Sequence, residues 1–198
     1  MNLKIAIDLN DVIRDYSRNF VSYFKKGINH GFDENEIEFY TNDMEELLPF
    51  SSKEQYRRFV YEDYPFELYS KCPPVDKNLP RDLNYWLEFE LPDEDIDVMF
   101  VSPMECDLTI QCTYSFLAKI GSRVREVYFP IDSSDVWDKC DVLITANPRF
   151  FENKKEGKKI VKINKEYNKG YSSNLEYNSL LEIIKDKEFI KKITNEEE

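Results

Sequence analysis

The chain has 198 residues, 41% of them apolar and 33% charged, and a formal net charge of −12. This is enough for one domain, or one domain with a small insertion, and it excludes a disordered chain. The acidic balance argues against nucleic-acid binding, no apolar run approaches the ~20 residues of a membrane span, and the N-terminus lacks a signal-peptide pattern, so a cytoplasmic protein is expected.

In chain order, Lys4 to Ile7 reads as a short buried strand that stops at Asp8-Leu9-Asn10-Asp11. A helix follows, with Ile13, Tyr16, Phe20, Tyr23 and Phe24 at helical spacing. Residues 27–92 mix acids, aromatics and prolines, with helices expected at 52–61, capped by Ser51 or Ser52, and at 80–89. Strand and helix then alternate. Ile96 to Val101 is a buried strand ending at Ser102-Pro103, and Asp107 is placed to cap a helix that Gly121 closes. Further strands are expected at 124–129, 142–145 and 159–163, a short helix at 134–139, and a last helix at about 174–185. The pattern implies an α/β fold with a mostly parallel sheet covered on both faces.

In such sheets ligands bind beyond the carboxyl ends of the strands. That rule selects Asp8, Asn10, Ser102 and the stretch Thr145 to Asn147, and it predicts that they meet in space. A strand-end carboxylate such as Asp8 can attack a phosphoryl group, and a neighbouring hydroxyl such as Ser102 can bind the oxygens being transferred. The cysteines (Cys72, Cys106, Cys112, Cys140) lack metal-site spacing, and the single histidine, His30, sits in a polar turn, which argues against zinc and histidine-based catalysis.

Ile5-Ala6-Ile7-Asp8-Leu9-Asn10-Asp11-Val12 resembles the first motif of the haloacid dehalogenase (HAD) superfamily, an apolar run followed by Asp-x-Asp. Val98 to Ser102 is similar to its second motif, and Asp141 to Pro148 to the strand that carries its fourth, nearest in form to the 5′-nucleotidase-like members. A fainter resemblance is to short HAD-like proteins encoded by bacteriophages, which would allow a place in a virion. The resemblance implies a Rossmann-like three-layer sandwich with a core of residues 1–14 and 96–198, and a helical cap inserted at 15–95. It also implies an aspartyl-phosphate mechanism on a small phosphorylated substrate. Asp8 would be the nucleophile and Ser102 the phosphoryl-binding hydroxyl. Lys119 or Lys139 would be the motif lysine, and Arg14 and Asn147 would contact substrate. Asp8, the Asn10 carbonyl and Asp141 would hold Mg²⁺.

The departures from that pattern carry as much weight. The second aspartate, which acts as acid and base in the phosphatases, is Asn10, and an amide moves no proton. The paired acids of the fourth motif are Thr145 and Ala146, poor ligands for a hard cation. A HAD-fold protein with a degenerate site, kept as a binding or structural module, is therefore the first reading. A Mg²⁺ phosphohydrolase and a metal-free HAD hydrolase are the alternatives.

Two further features bear on partners. The aromatics of the insertion (Phe39, Tyr40, Phe50, Tyr56, Phe59 and others to Trp86) exceed what a small cap needs, so a protein partner or a second copy is expected to cover some of them. Residues 154–169 hold seven lysines against two glutamates, read as a solvated strand edge rather than a polyanion site.

Overall fold

In the computed structural model, residues 3–91, 95–103, 106–124 and 126–194 are described. Pro92, the last residue of the proline-containing stretch 27–92, and Arg125, inside the expected third strand, lie outside them.

Six strands, β1 (Leu3–Asp8), β2 (Ile96–Val101), β3 (Val127–Tyr128), β4 (Val142–Thr145), β5 (Lys159–Ile163) and β6 (Leu175–Tyr177), form one sheet in the order β3-β2-β1-β4-β5-β6. Every pairing is parallel. The strands alternate faces with period two. Ile5, Ile7, Phe100, Ile144 and Val161 enter one core cluster, whereas Ala6, Met99, Val101, Leu143 and Ile160 enter another on the opposite face. Apolar residues on both faces are what an interior parallel sheet requires.

The helices are α1 (Tyr16–Gly27), α2 (Met44–Leu47), α3 (Lys53–Arg58), α4 (Leu79–Tyr85), α5 (Asp107–Lys119), α6 (Pro148–Glu152), α7 (Leu180–Lys185) and α8 (Phe189–Thr194). Three π-helical stretches, Phe59–Asp63, Phe66–Ser70 and Trp86–Glu90, extend or follow the helices of the insertion. Ser52 caps α3 by accepting from Gln55 N. Cys106, not Asp107, is the N-cap of α5, and Gly121 follows its C-cap with φ +66°, as a C′ glycine should.

The segment between β1 and β2 feeds two cores. Phe20, Phe24, Phe59, Leu68 and Tyr69 form a separate aromatic cluster that meets α5 at Cys112. Leu79, Leu83, Trp86 and Leu91 instead pack on the sheet. The aromatics expected to be surplus are mostly consumed inside: Phe50 touches the rings of Phe20, Phe24, Tyr56 and Phe59. Tyr40, Phe66, Tyr85 and Phe89 remain exposed.

Three expectations are corrected. The helix expected from residue 174 is a strand followed by a helix: β6 occupies 175–177 and Ser179 then caps α7. The strand expected at 124–129 shrinks to two residues. The lysine-rich stretch is a solvated edge only in part: Lys154, Lys155 and Lys169 are exposed, but β5 lies between β4 and β6 and its Lys162 is buried, bonded to the Tyr171 carbonyl at 2.8 Å and paired with Glu176 at 2.7 Å. Lys155, Lys158 and Lys169 are also paired, with Asp138, Asp141 and Glu166.

Candidate functional site

In a parallel sheet of this strand order the chain winds outward in both directions from β1 and β4, leaving a crevice between their carboxyl ends. The register Ile7↔Ile144 sets Asp8 beside Thr145, on the same face of the sheet. Thr145 Oγ1 donates to Asp8 Oδ2 at 2.7 Å, directly across that switch point. The other carboxylate oxygen accepts from Asn10 N at 3.3 Å. Asp8 is fully buried. Burial pushes its carboxyl up to about 7, against the lowering effect of the Thr145 and Asn10 hydrogen bonds.

Arg14 organises the other half of the site. It too is fully buried. Its Nε donates to Asn10 Oδ1 at 2.5 Å, Nη2 to Ser102 Oγ at 3.0 Å, and Nη1 to Thr113 Oγ1 at 3.2 Å and the Tyr69 carbonyl at 3.5 Å. Its guanidinium carbon stands 5.0 Å from the centre of the Tyr69 ring. The planar fork of arginine suits such a set of divergent acceptors. One side chain thus joins the first strand end, the second strand end, α5 and the insertion. It thereby engages the Ser102 hydroxyl, the group expected to bind a phosphoryl oxygen.

Asp11 is held differently. Its φ of +60° is in the left-handed region, sparsely used by residues other than glycine. The carboxylate accepts from Ser17 N at 2.8 Å, from Ser17 Oγ, and from Tyr167 OH at 2.9 Å. It therefore ties down the start of α1 and the loop after β5. Burial and the neighbouring Asp11 charge keep the Tyr167 hydroxyl protonated far above its ordinary range.

The strand-end residues thus converge as expected. Asp8, Asn10, Ser102, Arg14 and Thr145 make one connected network. Asn147 stands at its rim, its backbone N bonded to Thr145 Oγ1 and its side chain capping α6 through Arg149 N. Two expected members are elsewhere. Asp141 immediately precedes β4, at the end of the strand opposite Thr145, where its carboxylate accepts from Lys4 N and Lys158 Nζ. Four residue steps of extended chain, ~13 Å, separate it from Thr145. Lys119 is exposed in the last turn of α5, while Thr113, nearer the start of that helix, reaches the site. Thr113 and Tyr167 are site members that no sequence motif marks, and Tyr69 stands in the sequence only among the surplus aromatics of the insertion. Thr113 lies on the same face of α5 as the apolar Phe116 and Leu117, so its spacing marks only burial, and Tyr69 contributes a backbone oxygen that no side-chain pattern can flag.

Above this network lies a cleft of about 250 Å³. Asn10, Asp11, Asn147 and Tyr167 line it from the sheet side, and Asp43, Tyr56 and Tyr61 from the insertion. Arg149 of α6 pairs with Asp43 at 3.0 Å across the two sides. Asp8 and Ser102 do not reach the cleft wall.

The donor set does not fit a magnesium ion. Mg²⁺ wants near-octahedral oxygen with one or two carboxylates and several waters. Here Asp8 is sealed by Thr145 and Asn10, the Asn10 side-chain oxygen is taken by a guanidinium, Asp141 lies at the far end of β4 from Asp8, and Asp11 turns toward Ser17 and Tyr167, so the Asn10 backbone carbonyl would stand without a free carboxylate beside it. Among the described residues no three His, Cys, Asp or Glu side chains are grouped to hold a metal.

No protein-family model and no curated protein sequence matches the chain. Solved structures do. A protein described as a haloacid dehalogenase-like hydrolase, from Bacteroides fragilis, superposes with a TM-score of 0.57 at 12% identity, over 92% of this chain and 100% of that one. The Bacillus subtilis protein YfnB, described as a HAD-hydrolase and solved with magnesium, gives 0.52 at 12% identity, over 92% of this chain and 96% of that one. The chain has the HAD-like, Rossmann-type α/β fold.

Proposed function

We propose that this protein is a HAD-fold binding module whose phosphotransfer centre is closed. The observation that carries this reading is the Arg14 guanidinium, buried among Asn10, Ser102, Thr113 and the Tyr69 carbonyl. It occupies the approach to Ser102, and the Asp8 carboxylate lies sealed beside it. A nucleophile must be within reach of the reacting atom, and its attack needs a proton acceptor or donor nearby. Asp8 has neither access nor such a partner: Thr145 and Asn10 are its neighbours, and the 5′-nucleotidase-like resemblance supplies its acids at positions that this chain does not charge. What remains is the cleft over the sealed centre, walled half by the sheet's loops and half by the insertion of residues 15–95. We infer that recognition takes place there, with the insertion as its outer wall.

The test is a turnover assay on nucleoside monophosphates and an aryl phosphate, with Mg²⁺ and with chelator, beside the Asp8→Asn variant. The reading expects no difference between the two proteins. A turnover above about 1 s⁻¹, ordinary for an enzyme, that is lost in Asp8→Asn would overturn it.

A further inference from the structure

The walls of the cleft have the wrong charge for a phosphorylated ligand. Among the described residues its one cationic side chain, Arg149, is matched by Asp43 at 3.0 Å, which leaves the Glu45 carboxylate in the wall, with that of Asp11 bonded to Ser17 and Tyr167 beside it. The Arg14 charge lies behind Asn10 with all three guanidinium nitrogens engaged by oxygen acceptors. Four tyrosines, Tyr16, Tyr56, Tyr61 and Tyr167, line the same space. Aromatic faces attract cations, more so in a partly desolvated cleft, and carboxylates add to that attraction. The volume of about 250 Å³ holds about eight waters at ~30 Å³ each, the size of a side chain or a small metabolite.

We propose that the cleft binds an organic ammonium group, seated against the tyrosine rings with Glu45 as its counter-charge. This rests on the closed-centre reading above, since a working phosphatase would need its anionic substrate in that place. The ammonium can come from a free amine or from a lysine side chain of another protein. The two sources share the chemistry and differ in the bulk behind the nitrogen.

The experiment titrates the intact protein with n-butylammonium, with Nα-acetyl-lysine N-methylamide and with inorganic phosphate, followed by NMR shifts and tyrosine fluorescence. Both ammonium probes are expected to saturate, with Kd on the order of 1–10 mM for ligands of this size. Phosphate is expected not to compete. Saturation by butylammonium alone supports the proposal and assigns a free amine; saturation by both supports it and admits a lysine side chain. Tyr61→Leu should raise Kd about two- to five-fold and Tyr61→Phe should leave it within about two-fold, because the ring face is what a cation reads. Glu45→Gln, on a half-exposed position of α2 that leaves the cores untouched, should raise it about three-fold. Phosphate displacing the amine, binding indifferent to Glu45→Gln and Tyr61→Leu, or no saturation by either amine would overturn the proposal. The turnover assay fails separately: Asp8-dependent hydrolysis would sink the closed-centre reading whatever the amine titration gives.

Discussion

Arg14 Nη2 lies 3.0 Å from Ser102 Oγ, joining the turn after β1 to the end of β2 across 88 residues of chain. The contact is between a buried cation and a neutral hydroxyl, and the other hydrogen-bond partners of the guanidinium are neutral oxygens as well. Its stability comes from directed hydrogen bonds and the Tyr69 ring rather than from an ion pair. Hydrogen bonds to a charged group contribute ~1.5–3 kcal/mol each, and an ammonium cannot reproduce a planar fork. Arg14→Lys is therefore expected to cost about 2–4 kcal/mol, no less than Arg14→Met, in urea unfolding. A lysine variant as stable as the parent would mean that charge alone matters here. The same contact decides the fate of Asn10→Asp. The new carboxylate would sit 2.5 Å from Arg14 Nε and be neutralised there, so on the proposed closed-centre reading no phosphatase activity is expected in that variant.

The Asp8 carboxyl gives a pH prediction. Its folded-state value of about 7 stands above the unfolded value of 3.8 because burial disfavours the charge. The native state then binds more protons than the unfolded state between those values, so stability falls as pH rises from about 4 to about 7. The loss is complete above 7 and amounts to a few kcal/mol, given ~1.4 kcal/mol per pKa unit. Asp8→Asn has no such charge to bury. It should match the parent near pH 4 and be the more stable protein at pH 8. Parallel unfolding curves of the two across that range would contradict the assignment.

How far the sequence foretold this site depends on which physical signal each residue leaves. Asp8, Ser102 and Thr145 were legible because they are short polar residues ending apolar runs, and a parallel sheet collects strand ends on one rim. Arg14 was visible as a nearby cation, but its direction was not. The turn through Asp11, with its positive φ, aims Arg14 inward, and nothing about Asp11 in the sequence announces the left-handed conformation. Asp141 misled because it immediately precedes the strand that Thr145 ends, and apolar patterning gives a strand's extent without saying which end meets the site. β6 was missed for a related reason. Leu175–Tyr177 is a three-residue edge strand followed within two residues by the apolar face of α7, so a helical period absorbs it.

Lys162 tests how the sheet tolerates a buried ammonium. It faces the second core from an interior strand, with Glu176 on the neighbouring β6 at 2.7 Å. Glu176 is half exposed while the lysine side chain is 4% exposed, so the cost of desolvation falls on the lysine. Removing the acid should leave an uncompensated buried charge, and Glu176→Ala is expected to cost about 2–4 kcal/mol. Lys162→Met keeps the volume and returns Glu176 to water, and should change stability by less than about 1 kcal/mol. Chemical denaturation of the two variants checks the order. A larger loss in Lys162→Met would show that the pair itself, and not the avoidance of a stranded charge, stabilises the sheet.

Trp137 carries the opposite problem. Its ring is fully buried against Val136, Cys140, Leu143 and Phe150, yet its indole Nε1 has no hydrogen-bond partner among the described residues. A buried donor left unpaired costs ~1–3 kcal/mol, which the packing of the large ring must offset. Two substitutions separate the terms. Trp137→Ala loses the ring and should cost about 3–5 kcal/mol, as buried aromatics do. Trp137→Phe keeps most of the ring and removes the orphan donor, so the smaller cavity and the relieved desolvation oppose each other and the net change should stay within about 1 kcal/mol. Thermal unfolding resolves this, since a change of that size moves the Tm of a chain this long by ~2–4 °C. A loss in Trp137→Phe close to that of Trp137→Ala would mean that the Nε1 hydrogen is satisfied in solution, with a buried water as the obvious donor-acceptor to look for by hydrogen exchange.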